Sequence, residues 1–551
     1  MSSSTSNSGD QKDRFDVLIV GYGPVGATLA NMLGQRGYRV AIVEKSTEIY
    51  DKPRAITADH EAMRVFQACG LADEIAAKTT PHPGTDFLGA QGQSIKRFYP
   101  QSPPNPLGWE PTFMFEQPSL EAVLRRGVGR FAQVQTFLGT ECGDVVQTDD
   151  EVQVTVRQGD ASEATVLRAA RVVACDGASS TIRRQLGAGI EDLNFDEWWL
   201  VIDAHLRVQV ELPPRCVQYC RPSRPGTYIV GPGTLRRWEI KMLPGETPDD
   251  FKDDAKVRAA LGTFVDVSAL DIWRVAIYRF HALVATQWRD RRVFLMGDAA
   301  HQMPPFLGQG LCAGIRDVVN LVWKLDAVRT RSYADTLLDT YGEERMPHVR
   351  TIVAHAKAFG LIIGELDEQR ADERDRRLAQ ELASGQAETV RQRFIPSLTG
   401  GLIDKDDKGQ PAQGAGTLFV QPWVSRASGP ATRLDEFLDG EFLLASATAD
   451  ALNWMDDDTS RLWKQLAGQS IVIRSAGAPD KSSGVDVVER EGVFRDWLSA
   501  IGATVVLVRP DHYVYGTAST PTQLRRLVHD LHKSLFQQSH SASTATAAAI
   551  H

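Results

Sequence analysis

Three stretches of the sequence set glycines beside a carboxylate at the end of an apolar run. Gly21-Tyr22-Gly23-Pro24-Val25-Gly26 follows the run Phe15–Val20 and matches G-x-G-x-x-G, and Glu44 stands 23 residues after Gly21. That spacing suits a dinucleotide: the glycines let backbone approach a pyrophosphate, and the acid takes ribose hydroxyls. On this motif alone the ligand is FAD or NAD(P). Asp176-Gly177 ends a second apolar run, Arg171–Cys175. Gly297-Asp298 ends a third, within Arg291–His301, and Pro304-Pro305-Phe306-Leu307-Gly308-Gln309-Gly310 follows. Asp298 is placed to accept a hydrogen bond from a ribityl or ribose hydroxyl. A helix is predicted to open at about Gly310, because Leu311, Ile315, Val318, Val322 and Leu325 fall on one face. Its N-terminus aims free N–H groups and a positive dipole end at the loop, which favours an anionic ligand.

The elements that must position these groups are legible in the flanking patterns. Phe15–Val20 and Val40–Val43 read as buried strands around a helix, a dinucleotide-binding βαβ unit. From Trp198 to about Phe280 strand-like stretches recur, and they read as an antiparallel sheet inserted between the Asp176 turn and the Asp298 strand. In one of them Trp238, Ile240 and Met242 share a face, while Arg237, Glu239 and Lys241 share the other; one of the two faces is expected to cover an aromatic ligand. Residues 400–416, rich in Gly, Asp, Lys and Gln, read as a linker. Pro521–Phe536 reads as a helix with Thr520 as its N-cap.

Composition narrows the class. A chain of 551 residues is long for one core and predicts several domains. A net charge of −9, with no basic run, argues against nucleic acid. No apolar run reaches the roughly 18 residues of a membrane span. The six cysteines are scattered without metal-ligand spacing, so no metal site is expected, and reduced thiols in a cytoplasmic protein are.

The three motifs, in this order, resemble the single-component FAD-dependent aromatic hydroxylases, the group A flavoprotein monooxygenases. Pro53-Arg54-Ala55-Ile56, Gln117-Pro118, Arg183-Arg184, Asp317 to Lys324, Glu344-Arg345, Leu418-Phe419-x-Gln421-Pro422 and Arg509-Pro510-Asp511 look like the 3-(3-hydroxyphenyl)propionate hydroxylase subgroup. The resemblance implies a mixed α/β and α+β architecture. A Rossmann-like FAD domain (14–80, 110–190, 285–399) would carry an inserted substrate sheet domain (81–109, 191–284). The 400–416 linker would lead to a thioredoxin-like domain (417–536), with disordered tails at 1–13 and 537–551. That last domain has no cysteine, so dithiol chemistry is excluded there.

The resemblance also implies the site. FAD would be held by Gly21, Gly23, Pro24, Gly26, Glu44, Lys45, Arg54, Gln117, Asp176, Gly177, Asp298, Pro305, Gly308, Gly310, Leu311 and Cys312. Trp238 and Pro304 would face the substrate. NADH or NADPH would reduce the flavin, and a flavin C4a-hydroperoxide formed with O2 would hydroxylate a phenol, ortho to the existing hydroxyl of a hydroxyphenyl-alkanoate. Another aromatic ring (a hydroxybenzoate, resorcinol or polyketide) and a non-hydroxylating FAD oxidoreductase are the alternatives. A homodimer is the family expectation. A phenol reacts best as phenolate, and Asp59 is the expected base; the competing reading is that Asp59 caps a helix starting at His60. His301 is expected to pack beside the flavin.

Overall fold

The computed structural model describes residues 14–51, 54–159, 163–426, 429–476 and 486–536. The two tails expected to be disordered lie outside the described residues, as does Pro53. The chain divides into two compact units, Met1–Val319 with Met346–Pro396, and Asn320–Arg345 with Ser397–His551.

The first unit holds two sheets that bear on the site. In one, strands Val293–Leu295, Thr165–Ala174, Arg14–Val20, Val40–Glu44 and Val134–Leu138 lie side by side, each pair parallel. At the centre of this sheet, residues 17–20, 40–43, 172–174 and 293–295 are buried and apolar on both faces, as a covered parallel sheet requires. Register fixes where they end: Val20 pairs with Val43 and with Ala174, and Ala174 pairs with Leu295. The loops that begin at Gly21, Glu44, Cys175 and Met296 therefore leave one edge of the sheet together.

The other sheet has eight strands, ordered His301–Gln302, Leu270–Ala285, Ile190–Leu206, Leu235–Lys241, Gly226–Val230, Cys216–Tyr219, Thr85–Leu88 and Ser94–Phe98. Leu200, Ile202, Tyr228, Trp238 and Ile240 cover one of its faces and pack with Phe251, Val257 and Leu261 of the segment that holds helix Asp254–Leu261. This is a dry core of large apolar side chains, stabilised by area removed from water.

The second unit is built on a seven-stranded sheet, in which Gln469–Ser475, Leu443–Ser446, Val505–Val508 and Val514–Ala518 are consecutive neighbours. Of these four, the first two run parallel, and the other two pairings are antiparallel. Helix Pro521–Phe536 buries Leu524, Leu527, Val528, Leu531 and Leu535. The 400–416 stretch, expected to be a linker, is packed into this unit: Leu402 and Ile403 are buried, and Arg526 donates to Asp404 at 2.8 Å. The unit also buries four opposed charges. Glu344 accepts from Lys324 at 2.8 Å and from Arg509 at 2.7 Å, and Arg509 also pairs with Asp511. Burial pushes the Glu344 carboxyl up, but Arg509 and Lys324 outweigh it and bring it down to about 2.

Among the described residues no helix is long and apolar enough to cross a membrane, and no group of three or more His, Cys, Asp or Glu is placed to hold a metal ion.

Removing one member of a balanced buried cluster leaves a charge uncompensated. The substitution Glu344→Gln is expected to lower stability by about 3 to 5 kcal/mol, read as an earlier denaturant midpoint of the whole chain. An unchanged midpoint would mean that Lys324 and Arg509 do not depend on Glu344.

Candidate functional site

The glycine loop is shaped for close approach. Gly21 has φ +102°, and a Cβ there would stand 2.2 Å from the Cys175 carbonyl oxygen. A Cβ on Gly26 would lie 2.1 Å from the Gly21 oxygen, so helix Pro24–Gln35 can sit this close to the strand only with glycine there. Gly23 differs: a Cβ there would meet nothing within 4 Å. Gly23 is also the N-cap of that helix, and Pro24 stands in its first turn. Open space before a helix N-terminus is where a pyrophosphate fits. Glu44 folds over the same loop, accepting from the Tyr22 N–H at 2.7 Å and the Ser46 N–H at 2.9 Å, while Lys45 is exposed beside it. Gln117 accepts from the N–H groups of Arg54 and Ala55, both at 2.8 Å, and so fixes the backbone of that loop.

The other two motifs arrive at the same edge. Asp176 accepts from the Thr181 N–H at 2.8 Å and caps a short helix; its second oxygen is buried without a partner, and Gly177 follows at φ +79°. Asp298 is exposed, ready to meet a hydroxyl. Helix Gly310–Thr330 starts as predicted, and Pro305, Gly308, Gly310 and Leu311 keep partial exposure while Cys312 is buried. His301 is buried; its Nε2 meets Asp317 at 2.8 Å, and its ring stacks on Trp288. The loops carrying Gly21, Glu44, Asp176 and Gly297 thus gather at one sheet edge. Open room at Gly23, an unpartnered Asp176 oxygen and an exposed Asp298 together fit a ligand with a pyrophosphate and a hydroxylated chain, as FAD has.

Two expectations are corrected. Trp238 does not face a ligand: it is buried in the dry core against Tyr228, on the side of the sheet that meets Phe251 and Leu261. The opposite face is the one turned toward the site. There Arg237 Nη1 donates to the Arg54 carbonyl at 2.8 Å. Trp199, paired with Lys241 across the strands, packs its ring 4.9 Å from that of Phe306, beside Pro304. Pro304 itself is buried.

Asp59 has the work of a cap and an ion-pair partner. Its Oδ1 accepts from the Ala62 N–H at 3.0 Å, at the start of helix His60–Ala68. Its Oδ2 accepts from Arg316 at 2.5 Å and from Gln309 at 3.1 Å, and Arg316 also pairs with Glu61. Burial pushes the carboxyl up, but Arg316, His60 and the Ala62 N–H outweigh it and hold it at about 2. A carboxylate with so little affinity for a proton is a poor base for a phenol.

The site-facing side of the sheet carries a set of paired charges. Asp203 accepts from Arg237 and from Arg274, each at 2.7 Å, and Arg274 donates to the Tyr278 hydroxyl at 2.6 Å. Lys241 pairs with Glu197 at 2.7 Å. Glu239 is buried 3.9 Å from Arg237; burial lifts its carboxyl to about 7, with Arg237 pulling down and Asp203 pushing up. The alternation of charged residues in a buried strand was the signal for this face.

Comparisons with known proteins give the family. A model of the FAD binding domain matches residues 14–356, and one of the HcaD C-terminal domain matches residues 416–534. A 3-(3-hydroxy-phenyl)propionate/3-hydroxycinnamic acid hydroxylase of Comamonas testosteroni is 33% identical, covering 96% of this chain and 99% of its own. A probable NADH-specific resorcinol 4-hydroxylase of Rhodococcus jostii (strain RHA1) is also 33% identical, covering 96% of this chain and 97% of its own. Among solved structures, the flavin-dependent monooxygenase PieE in complex with FAD and substrate superposes with a TM-score of 0.76 at 21% identity, over 95% of this chain and 99% of that one.

The substitution Asp59→Asn removes a charge from the Arg316 cluster and weakens a cap. It is expected to lower stability by about 3 kcal/mol or more. The contribution of Asp59 is present above its ordinary pKa and is lost as pH falls toward about 2, so the deficit of the variant should be full at neutral pH and shrink in acid. A variant as stable as the parent at pH 7, with slower hydroxylation alone, would return Asp59 to the role of base.

Proposed function

The chain belongs to the FAD-dependent aromatic hydroxylases, and we propose that it uses NADH or NADPH and O2 to add one hydroxyl to a phenolic ring, ortho to the existing hydroxyl of a hydroxyphenyl-alkanoate. The observation that carries this reading is the gathering of three motif loops at one sheet edge, beside a second sheet whose aromatic and charged face is turned to them.

FAD, when bound, supplies electron transfer from the nicotinamide and the activation of O2. The chain supplies the rest. The open backbone at Gly23 and the N-terminus of helix Pro24–Gln35 would take the pyrophosphate, Glu44 the adenosine ribose, and Asp298 the ribityl chain. Gln117 holds the Arg54 loop in place. The N-terminus of helix Gly310–Thr330 offers the N–H groups of Gly310, Leu311 and Cys312, and with them a positive dipole end, to a reduced, anionic ring system. Trp199, Phe280 and Phe306 close the side next to Pro304 with packed rings and so exclude water. In the second unit, the strand order, the closing helix and the lack of any cysteine support a thioredoxin-like domain with a structural or dimer-contact role. The same reading makes the protein a cytoplasmic homodimer.

One observation favours a second substrate. Arg237 and Lys241, the sheet-face cations placed to hold a substrate carboxylate, are already paired with Asp203 and Glu197. A neutral diol such as resorcinol needs no such cation.

The test is oxidation of NADH and NADPH by the FAD-loaded protein with 3-(3-hydroxyphenyl)propionate or resorcinol, with H2O2 assayed alongside. Strong stimulation by one phenol with little peroxide is expected. Stimulation with stoichiometric peroxide by both would mean that the true substrate is another ring, and no stimulation by any phenol would contradict the reading.

A further inference from the structure

Arg183 donates to the Ala299 and Ala178 carbonyls, both at 2.8 Å, while four other buried arginines of the first unit are met by carboxylates: Arg237 and Arg274 by Asp203 at 2.7 Å, Arg316 by Asp59 at 2.5 Å, Arg374 by Asp375 at 2.8 Å. Arg391, on the short helix Arg391–Phe394, is not. It is 5% exposed. Its Nη2 donates to the Leu307 carbonyl at 2.5 Å, which holds it against the Pro305–Gly308 loop. Its Nε has no partner, and Phe98 lies under the guanidinium, 4.6 Å from Cζ to the ring centre. Among the described residues no carboxylate pairs with it; Asp59, whose charge reaches it, is committed to Arg316.

Its remaining contact is a conflict. Nη1 faces His82 Nε2 at 3.5 Å. His82 Nδ1 already accepts from the Gly84 N–H at 2.9 Å, so the single proton of the neutral ring sits on Nε2. Burial, and then the Arg391 charge, keep this ring from taking a second proton. Two N–H donors therefore point toward each other, in a place where an unmet cation is costly.

The pair also belongs to the site. Leu307 and Gly308 are in the loop that leads into helix Gly310–Thr330, and a Cβ on Gly308 would touch Arg391 Nη2 at 2.5 Å and Thr57 at 3.3 Å. The other titratable groups near Arg391 are the Cys216 and Cys312 thiols, both kept neutral by burial, so neither supplies a negative charge. Cys216 is two residues from Gln218, which accepts from Thr227 at 2.5 Å, and Thr227 pairs with Glu239 across the site-facing side of the sheet.

We propose that Arg391, with His82 beside it, binds an oxyanion of the aromatic substrate. The proposal rests on the hydroxylase reading above. An oxygen accepting from Arg391 and from His82 Nε2 resolves the donor conflict and supplies the missing negative charge. Two sources share this chemistry, a phenolate oxygen and a side-chain carboxylate. The phenolate is the one that must lie beside the flavin loop, because the carbon to be hydroxylated is next to it.

The experiment uses FAD-loaded protein and two probes, 3-fluorophenol, which has only the phenol oxygen, and 3-phenylpropionate, which has only the carboxylate. Fluorine NMR follows ionisation of bound 3-fluorophenol with pH, and perturbation of the flavin absorbance gives the Kd of each probe. With Arg391 as the partner, bound 3-fluorophenol ionises about 1 to 3 pH units below the free phenol. Arg391→Met moves it back up, and Arg391→Lys restores part of the drop. If the carboxylate is the occupant, Arg391→Met instead weakens 3-phenylpropionate tenfold or more while the phenol is unmoved. The proposal is overturned if bound 3-fluorophenol ionises like the free phenol and neither substitution changes 3-phenylpropionate binding; the first of these is read on the parent protein and needs no folded variant. Failure of the parent to bind either probe would remove the hydroxyphenyl-alkanoate substrate proposed above, and this inference with it.

Discussion

The site depends on register between parallel strands. Parallel neighbours end at the same edge, so Val20, Val43, Ala174 and Leu295, once aligned, deliver Gly21, Glu44, Asp176 and Gly297 to one place. A one-residue slip would turn each strand's side chains over and move each loop along the edge. Gly21 and Gly26 make the alignment possible: with a Cβ at either position, backbone oxygens would be met at about 2 Å, and helix and strand could not close. Motifs separated by more than a hundred residues become one binding edge through this register.

Charge is handled in two ways. Many buried charges are met by opposite ones: Asp59 and Glu61 with Arg316, Asp203 with Arg237 and Arg274, and in the second unit Glu344 and Asp511 with Lys324 and Arg509. Such clusters position loops and strands, and each member is costly to remove alone. At the motif loops and beside them, some charged groups lack an opposite partner. Asp298 is exposed, one Asp176 oxygen is unpartnered, and Arg391 has a carbonyl and a histidine in place of a carboxylate.

Much of this was legible in the sequence, for local reasons. The strand–glycine–helix–strand–acid order, the helix opening at Gly310 and the Thr520-Pro521 helix start are set by neighbours within a few residues, and they stand where the patterns put them. Alternation divided Arg237, Glu239 and Lys241 from Trp238 and Ile240, but a period of two cannot say which face meets a ligand. The apolar face went to helix Asp254–Leu261, and Trp238 with it. Asp59 could be read as cap or base because both put a carboxylate before a helix; its partner Arg316 is 257 residues away in the chain. The 400–416 stretch has the composition of a linker, yet Asp404 is held by Arg526, a contact that no local pattern announces. Arg391 lies in a short turn, and its significance is the absence of a carboxylate that only the folded chain reveals.

If the glycine loop at this edge holds the FAD pyrophosphate, Gly23 is the position at which a substitution shows it. A Cβ at Gly23 touches nothing in the folded chain, and its φ of −68° suits any residue. The Gly23→Ala apoprotein should therefore unfold at the same temperature as the parent apoprotein, while the methyl group occupies the room meant for the ligand. The account predicts that FAD retained per chain, read from flavin absorbance after purification, falls severalfold in that variant. FAD retained at the parent level by an equally stable variant would contradict it.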